Sequence, residues 1–134
     1  MKSSFTVSTF LPAEPERVFR AWLSSEGHAA MTGSPAKVEP RVGGTFSAWD
    51  GYITGTTLAL RPYTRIVQSW RTSEFSEADP DSQIEVVIES APAGSLLTLI
   101  HTRIPEGQAE SYESGWEESY FSPMRAYFGS STQE

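Results

Sequence analysis

Between Thr45 and Arg103 apolar and polar residues alternate in short runs, each closed by Gly, Pro or Asp. This pattern constrains the fold more than any other feature, because successive side chains of a strand point to opposite faces and a period of two marks strands with one buried face. Ile84, Val86 and Ile88 alternate with Glu85, Val87 and Glu89, and Ile66, Gln68 and Trp70 alternate with Val67, Ser69 and Arg71. Asp50-Gly51 is the strongest hairpin signal, since a tight hairpin turn needs residues that tolerate positive φ. A two-residue turn there pairs Trp49 with Tyr52, Ala48 with Ile53 and Phe46 with Gly55. Phe46, Ala48, Ile53 and Gly55 then share the core face, with Gly55 leaving the Phe46 ring room to lie across bare backbone. Trp49 and Tyr52 fall on the opposite face, as an exposed cross-strand pair that stabilises the hairpin or offers a partner patch. Ala93-Gly94 marks the next turn, and Leu96 to Arg103 reads as the last strand, with Leu97, Leu99 and His101 as its best inward face and Leu96, Thr98 and Ile100 as the competing one. Glu74 to Ser82 is acidic and reads as a surface loop.

Helical signals flank this block. Ser4 to Leu11 is a strand ended by Pro12 and Pro15; Val18, Phe19, Trp22 and Leu23 then fall on one helical face, with Pro15 acceptable in the first turn. A shorter helix follows from about Ser25, as its cap, to Met31, with Gly33 as its stop. Pro105 to Ser114 is a polar connection, and a long helix runs from about Ser114 to Phe128. At 3.6 residues per turn Trp116, Tyr120, Phe121, Met124, Tyr127 and Phe128 lie within an arc of roughly 140°, and Pro123 should kink the helix. The order is strand, two helices, six strands, long helix. An antiparallel sheet with one long amphipathic helix is solved by laying the helix across one face of the curved sheet, an α+β fold.

Composition narrows function by exclusion. The 134 residues suit one domain. A formal charge of -7 repels phosphate backbones and anionic surfaces, so neither nucleic acid nor a membrane is expected as partner. With no cysteine, disulfides, thiolate zinc sites and cysteine nucleophiles are excluded. No signal-peptide pattern or apolar run of about 20 residues is visible, which reads as a cytoplasmic chain. GxSxG, HExxH, phosphate-cradling and acidic calcium motifs are absent, so no catalytic residue, metal ligand or cofactor is assigned.

Arg41-Val42-Gly43-Gly44-Thr45-Phe46, followed by Asp50-Gly51, Gly55, Pro62, Ile66-Val67 and Trp70-Arg71, and the ending Gly115-Trp116-Glu117-Glu118-Ser119-Tyr120-Phe121 with Phe128-Gly129, resemble the C-terminal domain of the Hsp90 ATPase activators. Ile104-Pro105 fits as well. The resemblance runs from about Phe5 to Gly129 and implies the helix-grip fold of the START-like superfamily. It implies two kinds of partner: an Hsp90-type chaperone, and a small apolar ligand between sheet and helix. The activators also carry an N-terminal domain for which this chain has no room, so the scaffold carries over more readily than the ATPase stimulation. Monomer and homodimer both fit.

Within that frame Phe46, Ile53, Trp70, Leu99, Trp116, Tyr120 and Met124 are candidates to line a ligand cavity, with Gln68, His101 and Glu117 as its polar exceptions. Glu117 falls at about 100° from Trp116, inside the apolar arc, so it is either an anchor on the cavity wall or part of a solvated first turn. His101 is either a ligand donor or a satisfied buried histidine. Gln68 either orients a ligand or bonds to its neighbours, unless a bulge turns it outward. The alternative to a binding module is a START-like enzyme using His101 and Glu117 as acid and base. His28 is expected on the surface or at a helix end, and Arg71 and Arg103 as solvated strand-end charges.

Overall fold

A computed structural model describes residues 3–131. Seven antiparallel strands form one sheet in the order β1-β7-β6-β5-β4-β3-β2. Their ranges are β1 Phe5–Leu11, β2 Lys37–Val38, β3 Thr45–Ala48, β4 Ile53–Arg61, β5 Arg65–Thr72, β6 Ser82–Ala91 and β7 Gly94–Thr102. Helices α1 (Pro15–Trp22) and α2 (Ser25–Thr32) follow β1. The chain ends in one continuous helix made of α3 (Ala109–Gly115), a π-helical segment (Trp116–Phe121) and α4 (Ser122–Ser131). Inward residues of the sheet (Ile84, Val86, Ile88, Leu97, Leu99) and of the C-terminal helix (Trp116, Tyr120, Phe121, Met124, Phe128) are all buried in a common core.

The hairpin register holds residue by residue: Ala48 faces Ile53 and Phe46 faces Gly55. A Cβ on Gly55 would lie 1.9 Å from the Ser69 carbonyl and 2.6 Å from the Phe46 ring, so only glycine fits that crossing. The turn itself is longer than expected. The strands close at Ala48 and Ile53, and Trp49, Asp50 and Gly51 all take positive φ (53°, 57° and 89°). The β6–β7 turn is displaced by one residue: Ala91 pairs with Gly94, so Pro92 and Ala93 form it, and Ala93 rather than Gly94 carries the positive φ. A bulge at Leu58 in β4 lies next to the Thr57–Gln68 pair, yet Gln68 stays inward because the extra residue is in the partner strand. The acidic 74–82 segment is not wholly superficial, since Phe75 is buried against Trp70 and Tyr112.

Two helix boundaries differ from expectation. The cap of α2 is Ser24, whose hydroxyl accepts the Gly27 N–H at 3.0 Å. Ser25 instead receives the Val38 N–H at 2.8 Å and ties α2 to β2. The C-terminal helix begins at Ala109, so half of the supposed polar connection is helical. Pro123, expected to kink this helix, lies within its continuous run, and the π segment ends just ahead of it, with Ser122 N–H reaching back to the Glu117 carbonyl. A π turn inserts a residue into a helix and often sits where a proline or a functional wall requires it.

Candidate functional site

The site is built by three pieces of chain converging on one side of the core. The β3–β4 turn contributes Trp49, Tyr52 and Ile53, β5 contributes Trp70, and the C-terminal helix contributes Tyr112, Gly115, Trp116, Ser119 and Tyr120. Together they enclose a cavity of about 280 Å3. An apolar cavity of about 150 Å3 suffices for benzene, so this one has room for a bicyclic ring.

Most polar tips of the wall residues are tied off elsewhere. Trp116 Nε1–H donates to His101 Nδ1 at 3.2 Å. The Tyr120 hydroxyl lies 2.7 Å from His28 Nε2, and His28 Nδ1 lies 2.9 Å from the Trp22 carbonyl. A carbonyl can only accept, so His28 carries its proton on Nδ1 and Nε2 accepts from Tyr120. Burial lowers the His28 pKa and pushes that of Tyr120 far up, which keeps both neutral. Tyr112 donates to Gln108 Oε1 at 2.6 Å and pairs with Thr72 Oγ1 at 2.7 Å, while Tyr52 donates to Glu74 Oε2 at 2.7 Å. Trp49 is the exception. Its Nε1–H is buried and, among the described residues, is the buried side-chain polar atom with no hydrogen-bond partner. Such a group costs roughly 1–3 kcal/mol in a folded protein. The backbone that places it is also strained, since a non-glycine residue at positive φ costs on the order of 1 kcal/mol. Hydrogen bonds of Asp50 N–H to Pro35, Tyr52 N–H to Trp49 and Ser73 N–H to Tyr52, each of 3.0–3.1 Å, hold the turn in this shape.

Among the described residues no cluster of His, Asp and Glu side chains is placed to hold a metal, and no helix is long and apolar enough to cross a membrane. The sequence model of the activator of Hsp90 ATPase homolog 1-like protein family matches residues 12–129. The chain belongs to that family. The human activator of 90 kDa heat shock protein ATPase homolog 1 is 30% identical over 121 residues, covering 90% of this chain and 35% of the relative. The Dictyostelium discoideum homolog is 31% identical over 107 residues, covering 78% of this chain and 27% of the relative. This chain therefore spans about a third of the length of the curated relatives it matches. The crystal structure of PFC0360w, an HSP90 activator from Plasmodium falciparum, superposes with a TM-score of 0.87 at 26% identity, covering 96% of this chain and 97% of that one. CalU16 from Micromonospora echinospora, at 23% identity and a TM-score of 0.78 over 97% of this chain and 78% of that one, shares the fold.

Within this activator-like frame the sequence-derived candidates separate into three groups. Ile53, Trp70, Trp116 and Tyr120 line the cavity. Phe46, Leu99, Met124, Gln68 and His101 are buried in the surrounding core without lining it. Gln68 accepts from Trp22 Nε1 and donates to Thr57 Oγ1, both at 3.1 Å, and so belongs to a closed polar network. Of the two readings of Glu117, the anchor on the cavity wall is the one overturned: the side chain is solvent-exposed and ion-paired with Arg125, which also donates to Thr9 Oγ1 at 2.9 Å. It is also well inside the helix rather than in a frayed first turn. The π segment explains the error. At roughly 82° per residue from 116 to 121 and 100° after it, Trp116, Tyr120, Phe121, Met124 and Phe128 close into an arc of about 80°, and Glu117 and Arg125 fall together beside it.

Because Glu117 faces solvent and His101 is fully buried, the acid–base pair they were to form is not assembled. His28, expected at the surface, is buried between Trp22 and Tyr120. Arg71 is not a free strand-end charge; it clasps the 74–82 segment through Asp81, the Asp79 carbonyl and the Ser76 carbonyl. Tyr52 is exposed and Trp49 half-buried, and the positive-φ turn sets both beside the cavity instead of pairing them across the ladder. Sequence reasoning missed Tyr112, Gly115 and Ser119 as wall residues. The available signal was Gly115 itself, a glycine inside a helix at a cost of about 1 kcal/mol relative to alanine.

Proposed function

We propose that the 134 residues act as one non-enzymatic binding domain whose aromatic cavity takes a small, largely apolar ligand. The observation that carries this is the cavity of about 280 Å3 walled by six aromatic residues, most of whose polar tips are tied off elsewhere. Ligand sites are concave and lined mainly by apolar and aromatic side chains with a few polar groups, and this wall fits that description. Gly115 supports the same reading: an ideal Cβ at this position meets no atom within 4 Å, so a side chain there would enter open space beside the cavity wall. Three of the four tryptophans line the cavity, which makes intrinsic fluorescence a direct readout. Native mass spectrometry of protein purified from its own host, paired with titration of indole or naphthalene followed by tryptophan emission, tests the proposal. A retained mass or a saturable emission change is expected; a chain that carries no ligand and gives no emission change would refute it.

A second reading is favoured by the 30% identity to the human activator along 90% of the chain. On that reading the domain contacts an Hsp90-type chaperone through the surface its relatives share. Since the matched region is about a third of those relatives, a weak complex with little ATPase stimulation is expected. Cross-linking with the cognate chaperone and an ATPase assay check this, and neither a complex nor stimulation at high micromolar concentration would remove it.

A further inference from the structure

The cavity wall is chemically one-sided. Six of its residues are aromatic, and neither lysine nor arginine lines it. Neighbouring rings stand at steep angles, 80° between Trp70 and Tyr112 and 50° between Trp116 and Tyr120, which makes a box rather than a parallel slot for a flat ring. Aromatic faces are the negative end of the ring quadrupole, so a box of rings attracts positive charge. A formal negative charge stands at the rim. Glu74 accepts the Tyr52 hydroxyl through its carboxylate at 2.7 Å and the Gln108 side-chain N–H through its backbone carbonyl at 3.3 Å. Two bonds thus hold Glu74 between the turn and the start of the C-terminal helix. Its charge acts on both rim phenols: burial first and Glu74 second push the Tyr52 pKa up to about 12, and burial and Glu74 raise that of Tyr112. Behind the wall His101 is a neutral acceptor, and Arg71, which lies over the Phe75 ring, is paired with Asp81. The rim therefore disfavours an anionic ligand, and a neutral one would gain nothing from Glu74.

Resting on the cavity-binding function above, we infer that the ligand is an organic cation. Its ammonium group lies among the rings at the Tyr52–Tyr112 rim facing Glu74, and its apolar body enters the cavity. Burying the body supplies affinity common to neutral and charged ligands; the rings and the carboxylate select the charge.

Acetylcholine and its uncharged isostere 3,3-dimethylbutyl acetate form the test pair, because they share shape and ester oxygen and differ in charge. Binding is read from tryptophan emission and from the indole N–H resonances of Trp49 and Trp116 in the full chain. Acetylcholine is expected to bind at least about tenfold more tightly than the isostere. Raising the salt should weaken acetylcholine alone. Glu74→Gln should weaken acetylcholine by about threefold and leave the isostere unchanged, with a thermal melt confirming the fold. Equal binding of the isostere would overturn the charge assignment and leave a neutral aromatic-cavity ligand in place. No binding of either compound at millimolar concentration, together with no response to indole or naphthalene, would overturn both.

Discussion

Trp116 donates its indole N–H to Nδ1 of His101 at 3.2 Å, and this bond fixes the charge state of a fully buried histidine. The opposite nitrogen, Nε2, then carries the proton and donates to Ser82 Oγ at 2.9 Å, and Ser82 donates to the Trp70 carbonyl at 2.6 Å. A second proton on His101 would have to sit on Nδ1, against the Trp116 N–H. Burial already holds its pKa down to about 3 from the ordinary 6.5. The unfolded chain takes up this proton as the pH falls below 6.5, and the folded chain does so only near 3. His101 therefore contributes stability that is complete above that window and is lost through it, at up to about 1.4 kcal/mol per pH unit. His28, also lowered by burial, acts in the same direction. Urea midpoints measured from about pH 7 down to about pH 4 should fall steadily. His101→Leu should flatten that slope while lowering the midpoint at neutral pH; an unchanged slope would assign acid sensitivity to other groups.

Gln68 is a structural residue, although it interrupts an apolar face. Gln68→Leu removes the acceptor for Trp22 Nε1 and the donor to Thr57 Oγ1. Leaving a buried indole N–H unpaired costs roughly 1–3 kcal/mol. Chemical denaturation should report that loss, with ligand affinity unchanged because Gln68 does not line the cavity. A drop in affinity at constant stability would place it in the site instead.

Gly115 separates stability from binding. Gly115→Ala should stabilise the helix by roughly 0.5–1 kcal/mol, because a methyl there clashes with nothing. Gly115→Leu should keep the fold and block the cavity. Paired thermal melts and tryptophan-emission titrations check both; full binding by the leucine variant would show that the side chain goes elsewhere.

Trp49→Phe keeps a ring on the wall and removes its unpartnered N–H. The ligand-free protein should be unchanged or up to about 1 kcal/mol more stable. Affinity for acceptor-bearing ligands and for hydrocarbon rings should both stay nearly as before, because the N–H has no surface on the cavity. Calorimetry with the two ligand types distinguishes this from general damage, which would weaken both.

Glu117 and Arg125 form an exposed pair, with side chains 54% and 42% accessible. Arg125 lowers the Glu117 pKa mainly through hydrogen bonding, but solvent screening limits the gain to about 0–1 kcal/mol. Glu117→Gln should therefore shift stability by less than that, more at low salt than high, and leave binding untouched. A measurable loss of ligand would return Glu117 to the site.

Much of the scaffold was legible because its signals are local. The Phe46–Gly55 register follows from a turn signal plus alternation, and the inner face of β7, with Leu97, Leu99 and His101, follows from its period of two. The family was legible for a related reason: its motifs are the turns and apolar positions that this frame requires. Ile53, Trp70, Trp116 and Tyr120, which line the cavity, are legible in the same way as large side chains on inward faces.

What alternation and periodicity cannot carry is phase across an irregularity. One π turn before Pro123 moved Glu117 from the apolar arc to solvent, and three positive-φ residues set Trp49 and Tyr52 beside the cavity instead of pairing them across the ladder. The partners of buried polar groups were equally beyond local reading, since His28 meets Tyr120 92 positions along the chain, and Trp22 meets Gln68 46 positions along. The sequence by itself determined the element order, the strand faces and the family, because each depends on steric and hydrophobic preferences within a few residues. Tertiary structure alone decided which inward side chains close the core and which leave space, because a cavity is set by how distant segments fail to fill the volume between them.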